Sequence, residues 1–234
     1  MSYSVEQVTE SIKAYINIHC IFRADNAIQY AKDLPPGKLY GKHAGTTNSY
    51  LFLLRNLTQN PIHLQHVSVL MYKRIIDYLA EKDNQHPISQ GLPIQLAGME
   101  TAALPLLAGI SLVGLKAGMG LNTFAIRKER KRYGLHNYID GMPNSHPVVI
   151  IDDLINSGQS IVHCQQVIKH ELDLPVVDQA FSIVRFQTEK FVCGPDCEIK
   201  VNSLFTADQF DRVAATSTVP ADCTRTKNKR PDYM

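Results

Sequence analysis

The run Pro147-Val148-Val149-Ile150-Ile151-Asp152-Asp153 constrains this chain more than any other stretch. A strand that is apolar at every position, rather than at alternate ones, has both faces buried. That is the condition of a strand inside a parallel sheet covered by helices. Two carboxylates end the run. Leu154-Ile155-Asn156-Ser157-Gly158-Gln159-Ser160-Ile161 follows, and a helical pattern begins. The order is strand, tight loop at the C-terminal edge, then a helix whose N-terminus faces the loop. Open α/β sheets place their ligand sites at that edge. Backbone N–H groups, small hydroxyls and the positive end of a helix dipole suit a phosphate. The two acids suit sugar hydroxyls or a hydrated divalent cation.

Other interpretations of this stretch compete. A Walker B strand also ends in acids, but no G-x-x-x-x-G-K-[ST] occurs in the chain. The first strand of a receiver domain would require a full α/β unit after Asp153, for which too little chain remains. A structural strand with a solvated acidic end stays open.

Around this stretch, strand and helix patterns alternate. Residues 5–32 show mixed helical periodicity. A strand is expected over 50–55. Asn60-Pro61 reads as an N-cap followed by proline at the first helical position, opening a helix to about residue 82 that buries Val67, Leu70, Met71, Ile75 and Leu79. Further strands are expected over 92–97, 122–127, 148–151, 176–185 and 199–204. Helices are expected over 100–116 and 157–172, with Thr206 capping a short last one. This alternation predicts one α/β domain over 1–216, with a mainly parallel central sheet flanked by helices, and a loose polar tail over 217–234.

Hydrophobic residues make up 44% and charged residues 20% of the 234 residues, as in ordinary globular proteins. A net charge of +2 gives no argument for nucleic acid or a membrane surface. No apolar run reaches membrane-spanning length, and residues 102–115 are too short and contain Pro105. The five cysteines are an odd count, and no signal peptide precedes them, so reduced thiols and a cytoplasmic location are expected. Cys193 and Cys197 have a metal-like spacing but lack a second pair or a nearby histidine, so they read as loop thiols. Arg127-Lys128-Glu129-Arg130-Lys131-Arg132 carries five like charges in six residues. By itself such a run is most simply a solvated surface.

The strand, Asp152, Asp153, Ser157, Gly158 and Ser160 resemble the motif for 5-phosphoribosyl 1-pyrophosphate (PRPP) in type I phosphoribosyltransferases. Asn156 and Gln159 depart from the family's small residues. Residues 124–134 resemble the flexible catalytic loop of the orotate phosphoribosyltransferases, with Tyr133 where a histidine is usual. Asn137-Tyr138-Ile139-Asp140-Gly141 resembles the return from that loop. The similarity covers about residues 40–206. It implies a small hood from the N-terminal segment (about 1–60) over a core of about 61–206. It also implies that residues 156–160 hold the 5-phosphate and that Asp152 and Asp153 hold the ribose hydroxyls. Mg²⁺ would be reached by Asp153 through water. Arg127, Lys128, Lys131 and Tyr133 would meet the pyrophosphate, with Lys131, Asp153 and Arg127 as the catalytic set. The loop would act across a homodimer.

Gly98-Met99-Glu100-Thr101-Ala102-Ala103 resembles the family's pyrophosphate loop, with Ala102 where some members have lysine. A helix start with a small packing face explains it equally well. Arg185, Phe52 and His43 are the base-binding candidates by the same resemblance. Core packing explains Phe52 as well, and a surface position explains Arg185. The implied function is transfer of the phosphoribosyl group from PRPP to orotate. A transferase for another base and a PRPP- or nucleotide-sensing regulatory protein are the alternatives.

Overall fold

The computed structural model describes residues 4–23, 39–40, 47–48, 50–82, 94–130, 137–186, 189–194 and 197–214. Helix α1 (Val5–Tyr15) opens on a capping box in which Ser4 and Gln7 exchange side-chain-to-backbone hydrogen bonds. A π-helical turn (Ile16–Cys20) leads into β1 (Ile21–Arg23). The short strands β2 (Leu39–Tyr40) and β3 (Thr47–Asn48) pair with each other, and β4 (Tyr50–Phe52) pairs antiparallel with β1. The strand expected over 50–55 stops at Phe52. Leu54, Leu57 and Thr58 are buried with the spacing of one helical face, and the chain turns into α2 (Arg55–Thr58). Asn60 then caps α3 (Pro61–Lys82), its Oδ1 accepting from the Ile62 and His63 N–H groups at 3.1 and 3.3 Å. Val67, Leu70, Met71 and Ile75 are buried as expected, and Leu79 packs at the edge.

The central sheet has seven strands: β5 (Gln95–Met99), β6 (Asn122–Ile126), β7 (Ile139–Gly141), β8 (Val148–Ile155), β9 (Gln179–Arg185), β10 (Lys190–Gly194) and β11 (Cys197–Thr206), in the order β10-β11-β9-β8-β5-β6-β7. The inner strands are parallel, while β7 and β10 close the two edges antiparallel. Helix α4 (Leu104–Lys116) links β5 to β6, and α5 (Gln159–Val167), prolonged by a π-helical turn (Ile168–Leu172), links β8 to β9. The chain ends its described part with a 3₁₀ turn (Ala207–Gln209), capped by Thr206 as expected, and α6 (Asp211–Ala214).

The apolar run of β8 explains itself in the packing. Val149 and Ile151 face α3 and α4, together with Leu96, Leu106, Ile110 and Phe181. Val148 and Ile150 face the other way, onto Ile161, Cys164, Val167 and Ala180. Each side chain is removed from water, so the strand has no polar face to show.

Several boundaries differ from the sequence expectation. The sequence pattern predicts neither strand β1, which interrupts the helical periodicity of residues 5–32, nor the edge strands β7 and β10; their short mixed runs carry little periodic signal. The residues 100–103 form a loop, and α4 starts only at Leu104. Strand β9 starts at Gln179, with Val176 making one isolated bridge to Val148. Most important, β8 does not stop before the acid pair. It continues through Asp152 and Asp153 to Ile155 because β9 stays paired beside it, up to Ile155 opposite Arg185. On its other side the ladder to β5 ends at Ile150. The acids therefore lie within a strand that is still bonded on one flank and open on the other.

Candidate active site

Taken in chain order, the parallel strands lie 2-1-3-4-5 across the sheet, and the order reverses between β5 and β8. A crevice opens at the C-terminal ends of two strands where their connections leave in opposite directions. Asp152 and Asp153 sit on one wall of it, and the loop after β5 forms the other.

Gly98 brings these walls together. A Cβ there would lie 2.4 Å from the Ile151 carbonyl oxygen and 2.4 Å from the Ala103 side chain, so only glycine lets β5 and its loop approach β8 this closely. Gly158 does the same for the second loop. Its φ is 72°, and a Cβ would meet the Phe191 ring at 2.1 to 2.5 Å.

The helices that leave this crevice differ from the long helices α1 and α3, though the single-turn α2 is likewise without a side-chain cap. α1 and α3 have side-chain caps, whereas α4 begins after Ala103 and α5 after Gly158, and neither has a side-chain cap. The first-turn N–H groups of α5, and those of α4 other than at Pro105, which has none, keep hydrogen-bonding capacity at the positive end of the dipole. Asn156, Ser157 and Gln159 are exposed around the α5 terminus, and Ser160 is half-buried.

Asp152 is buried, and its Oδ1 accepts from the Asp153 N–H at 2.9 Å. Its charge adds to burial in pushing up the pKa of the Cys164 thiol on the buried face of α5. Burial raises the Asp153 carboxyl above its ordinary 3.8, against the opposing pull of hydrogen bonds from Asp152 and the backbone and of the Arg55 charge.

Around the crevice most cations have a carboxylate. Arg127, just past β6, is held by Glu100 Oε2 at 3.1 Å and Asp140 Oδ2 at 2.5 Å. Its backbone N–H donates to Tyr138, and its carbonyl lies 3.0 Å from His163 Nε2. Arg130 pairs with Glu171 and lies over the Tyr138 ring at 4.9 Å. Lys128 is exposed. Arg185 closes β9 and pairs with Glu189 at 2.9 Å. Phe52 reaches the same end of the sheet, packing edge-on against Phe186 and Phe210 with centroids 5.8 and 5.7 Å apart. The structure thus brings Phe52 beside the strand end that carries Arg185, with its ring engaged in an aromatic cluster.

His43, Lys131 and Tyr133 lie outside the described residues, as do the side chains of Cys193 and Cys197. Sequence reasoning did not find the carboxylate partners Glu100, Asp140 and Glu189, nor His163, nor Arg55. The signal for Arg55 was present only in part. A lone arginine after an apolar strand says nothing about which loop it will reach.

No protein-family model matches the chain. Orotate phosphoribosyltransferase of Nostoc sp. (strain PCC 7120 / SAG 25.82 / UTEX 2576) is 26% identical over 165 residues, 70% of this chain and 72% of that protein. Orotate phosphoribosyltransferase of Methanopyrus kandleri is 34% identical over 115 residues, 49% of this chain and 59% of that protein. The match therefore spans less than two thirds of the Methanopyrus protein. The solved structure of Mycobacterium tuberculosis H37Rv orotate phosphoribosyltransferase superposes with a TM-score of 0.57 at 15% identity, covering 86% of this chain and 97% of that one. The chain has the type I phosphoribosyltransferase fold. Within that class its curated relatives are orotate phosphoribosyltransferases.

Proposed function

We propose that this protein transfers the phosphoribosyl group of PRPP to orotate, giving orotidine 5′-monophosphate and pyrophosphate. The observation that carries this reading is the pair of helix N-termini without side-chain caps, α4 and α5, on either side of Asp152 and Asp153 at the sheet's switch point. PRPP has phosphates at both ends of a ribose, and a helix end suited to an anion on each side of an acid pair suited to a diol supports this reading.

In this reaction C1 of the ribose gains positive charge as pyrophosphate leaves. Catalysis consists of holding the ribose, neutralising the leaving anion and keeping water away. Residues 156–160 would hold the 5-phosphate, and Asp152 and Asp153 the ribose hydroxyls. Arg127, Lys128 and Lys131 would bring the charge of the basic loop to the pyrophosphate, with Arg127 at its root. Adjacent carboxylates beside a phosphate site are hard oxygen donors of the kind Mg²⁺ takes together with water and substrate oxygens. Asp153 would hold that ion through water, and the ion would add charge neutralisation at the pyrophosphate.

Arg185 is assigned to the base, with Phe52 and His43 beside it. Its pair with exposed Glu189 is worth no more than about 1 kcal/mol, so a substrate carboxylate in the crevice can displace it. We also assign the protein to the cytoplasm as a homodimer. Buried free thiols Cys20 and Cys164 fit a reducing compartment. Leu104, Leu112 and Leu115 on α4, with Ile62 and Val69 on the adjoining α3, expose an apolar face that fits a second copy. Among the described residues no helix is long and apolar enough to cross a membrane.

Pyrophosphate release is measured with PRPP, Mg²⁺ and a panel of bases. Turnover with orotate is expected. Turnover of adenine, hypoxanthine or uracil with none of orotate would overturn the base assignment, and PRPP binding without turnover of any base would make the protein a sensor.

A further inference from the structure

The loop between β5 and α4 faces a difficulty under the proposed function, on which the following rests. Its residues 99–103 are Met99-Glu100-Thr101-Ala102-Ala103, with no cationic side chain and one acid. A doubly or triply charged pyrophosphate placed against it would meet the Glu100 carboxylate. That carboxylate is already answered by Arg127 at 3.1 Å, and Arg127 is answered a second time by Asp140. The loop therefore offers a helix N-terminus and no net positive charge.

A cation nevertheless reaches it from another element. Arg55 opens α2, outside the sheet, and its Nη2 donates to Thr101 Oγ1 at 2.7 Å. Its charge acts at the same time on Asp153, across the crevice from that loop. The guanidinium thus sits against the β5–α4 loop, within electrostatic reach of Asp153 on the facing wall. It also differs from its neighbours in what neutralises it. Arg127, Arg130 and Arg185 each have a carboxylate partner. Among the described residues Arg55 hydrogen-bonds only a hydroxyl. A guanidinium has five N–H donors in a rigid fork that matches two phosphate oxygens. Most of that fork remains unused in Arg55, at an exposed position an anion can reach.

We propose that Arg55 is the pyrophosphate ligand of the β5–α4 loop, a catalytic residue that reaches the leaving anion from the N-terminal layer and supplies the positive charge the loop lacks. Thr101 holds the side chain over the loop until the anion takes the fork. Its role goes beyond ground-state binding, because charge on the bridging oxygen grows as the C1–O bond breaks. Arg55 therefore interacts more strongly with the transition state than with bound PRPP.

The test is calorimetric titration of pyrophosphate and of PRPP into wild type, Arg55→Ala, Arg55→Lys, Thr101→Val and Arg55→Ala/Ala102→Lys, with turnover and melting temperature measured on each. Loss of one charge-assisted contact weakens an anion about tenfold to a hundredfold. That loss is expected for pyrophosphate in Arg55→Ala, with kcat falling further than PRPP affinity. Arg55→Lys is expected to recover part of it, since lysine keeps the charge without the fork. Ala102→Lys in the Arg55→Ala background places a cation on the loop itself and is expected to restore pyrophosphate binding. If Arg55 only fastens α2 to the loop, Thr101→Val and Arg55→Ala will do equal damage and Ala102→Lys will rescue nothing; that result overturns the assignment. Unchanged pyrophosphate affinity in folded Arg55→Ala overturns it as well. In both cases wild type still binds PRPP, and the proposed function stands. Failure of wild type to bind PRPP or pyrophosphate at all rejects the function and the Arg55 assignment together.

Discussion

Asp153 sets stability against function within a single residue. Burial raises its folded pKa above 3.8, so the folded protein holds a proton there more tightly than the unfolded chain does. Stability contributed by this group is present at low pH and falls as pH rises from the ordinary carboxyl range through the raised value. Asp153→Asn removes the charge that burial penalises. Its expected outcome is a higher melting temperature than wild type at pH 7 and a flatter dependence of melting temperature on pH above 4, checked by thermal melts across that range. Asp152→Asn/Asp153→Asn is expected to fold and to lose PRPP binding, read by calorimetry; unchanged binding in the folded double variant rejects the acid-pair assignment. Arg185 is the residue-scale probe of the base. Arg185→Ala is expected to weaken orotate by about 2–5 kcal/mol, the range for losing one side of a desolvated charge pair, while PRPP affinity changes much less. Equal losses for both substrates would place Arg185 outside the base site.

The elements around the crevice are held by packing that tolerates little change. The loop before α5 turns on Gly158, whose positive φ and contact with Phe191 both exclude a side chain. Phe191 comes from edge strand β10, so an element far along the chain shapes the candidate phosphate loop. Gly158→Ala is expected to destabilise the fold by about 1–3 kcal/mol, the usual range for overpacking, and to weaken PRPP as the α5 N-terminus shifts. Denaturant melts and PRPP titration of the same variant check both halves. A smaller partner, as in Phe191→Leu, should recover part of the stability of Gly158→Ala, whereas φ strain alone would give no recovery.

At the scale of the whole molecule, the sheet order places the candidate crevice, and the exposed apolar face of α3 and α4 fits the proposed homodimer. If the basic loop serves the neighbouring subunit, two inactive variants can complement each other. Lys131→Ala is expected to lower kcat strongly, and Asp152→Asn/Asp153→Asn to be inactive. Unfolding, mixing and refolding them produces hybrid dimers with one complete site, and part of the activity is expected to return. No recovery, with subunit exchange demonstrated by mass or fluorescence, would mean that each loop serves its own subunit.

Much of this protein is determined locally and was therefore legible in the chain. The continuous apolar run of β8 requires burial on both faces. Asn60-Pro61 favours a helix start through local capping, and Thr206 caps the turn that follows it. The acid pair and the glycine loop identified the candidate site because their chemistry depends on neighbours in sequence. Tertiary structure decided the remainder. Strand β8 continues past Ile151 because β9 runs alongside it, a pairing no local pattern encodes. Arg127 looked like a free cation in a charge run, yet Glu100 and Asp140 hold it from two other elements. Arg55 looked like the end of a strand, yet it opens a helix and reaches Thr101, 46 positions away. Side-chain charge is written in the sequence, but whether that charge is already neutralised depends on which distant segments the fold brings within hydrogen-bonding distance.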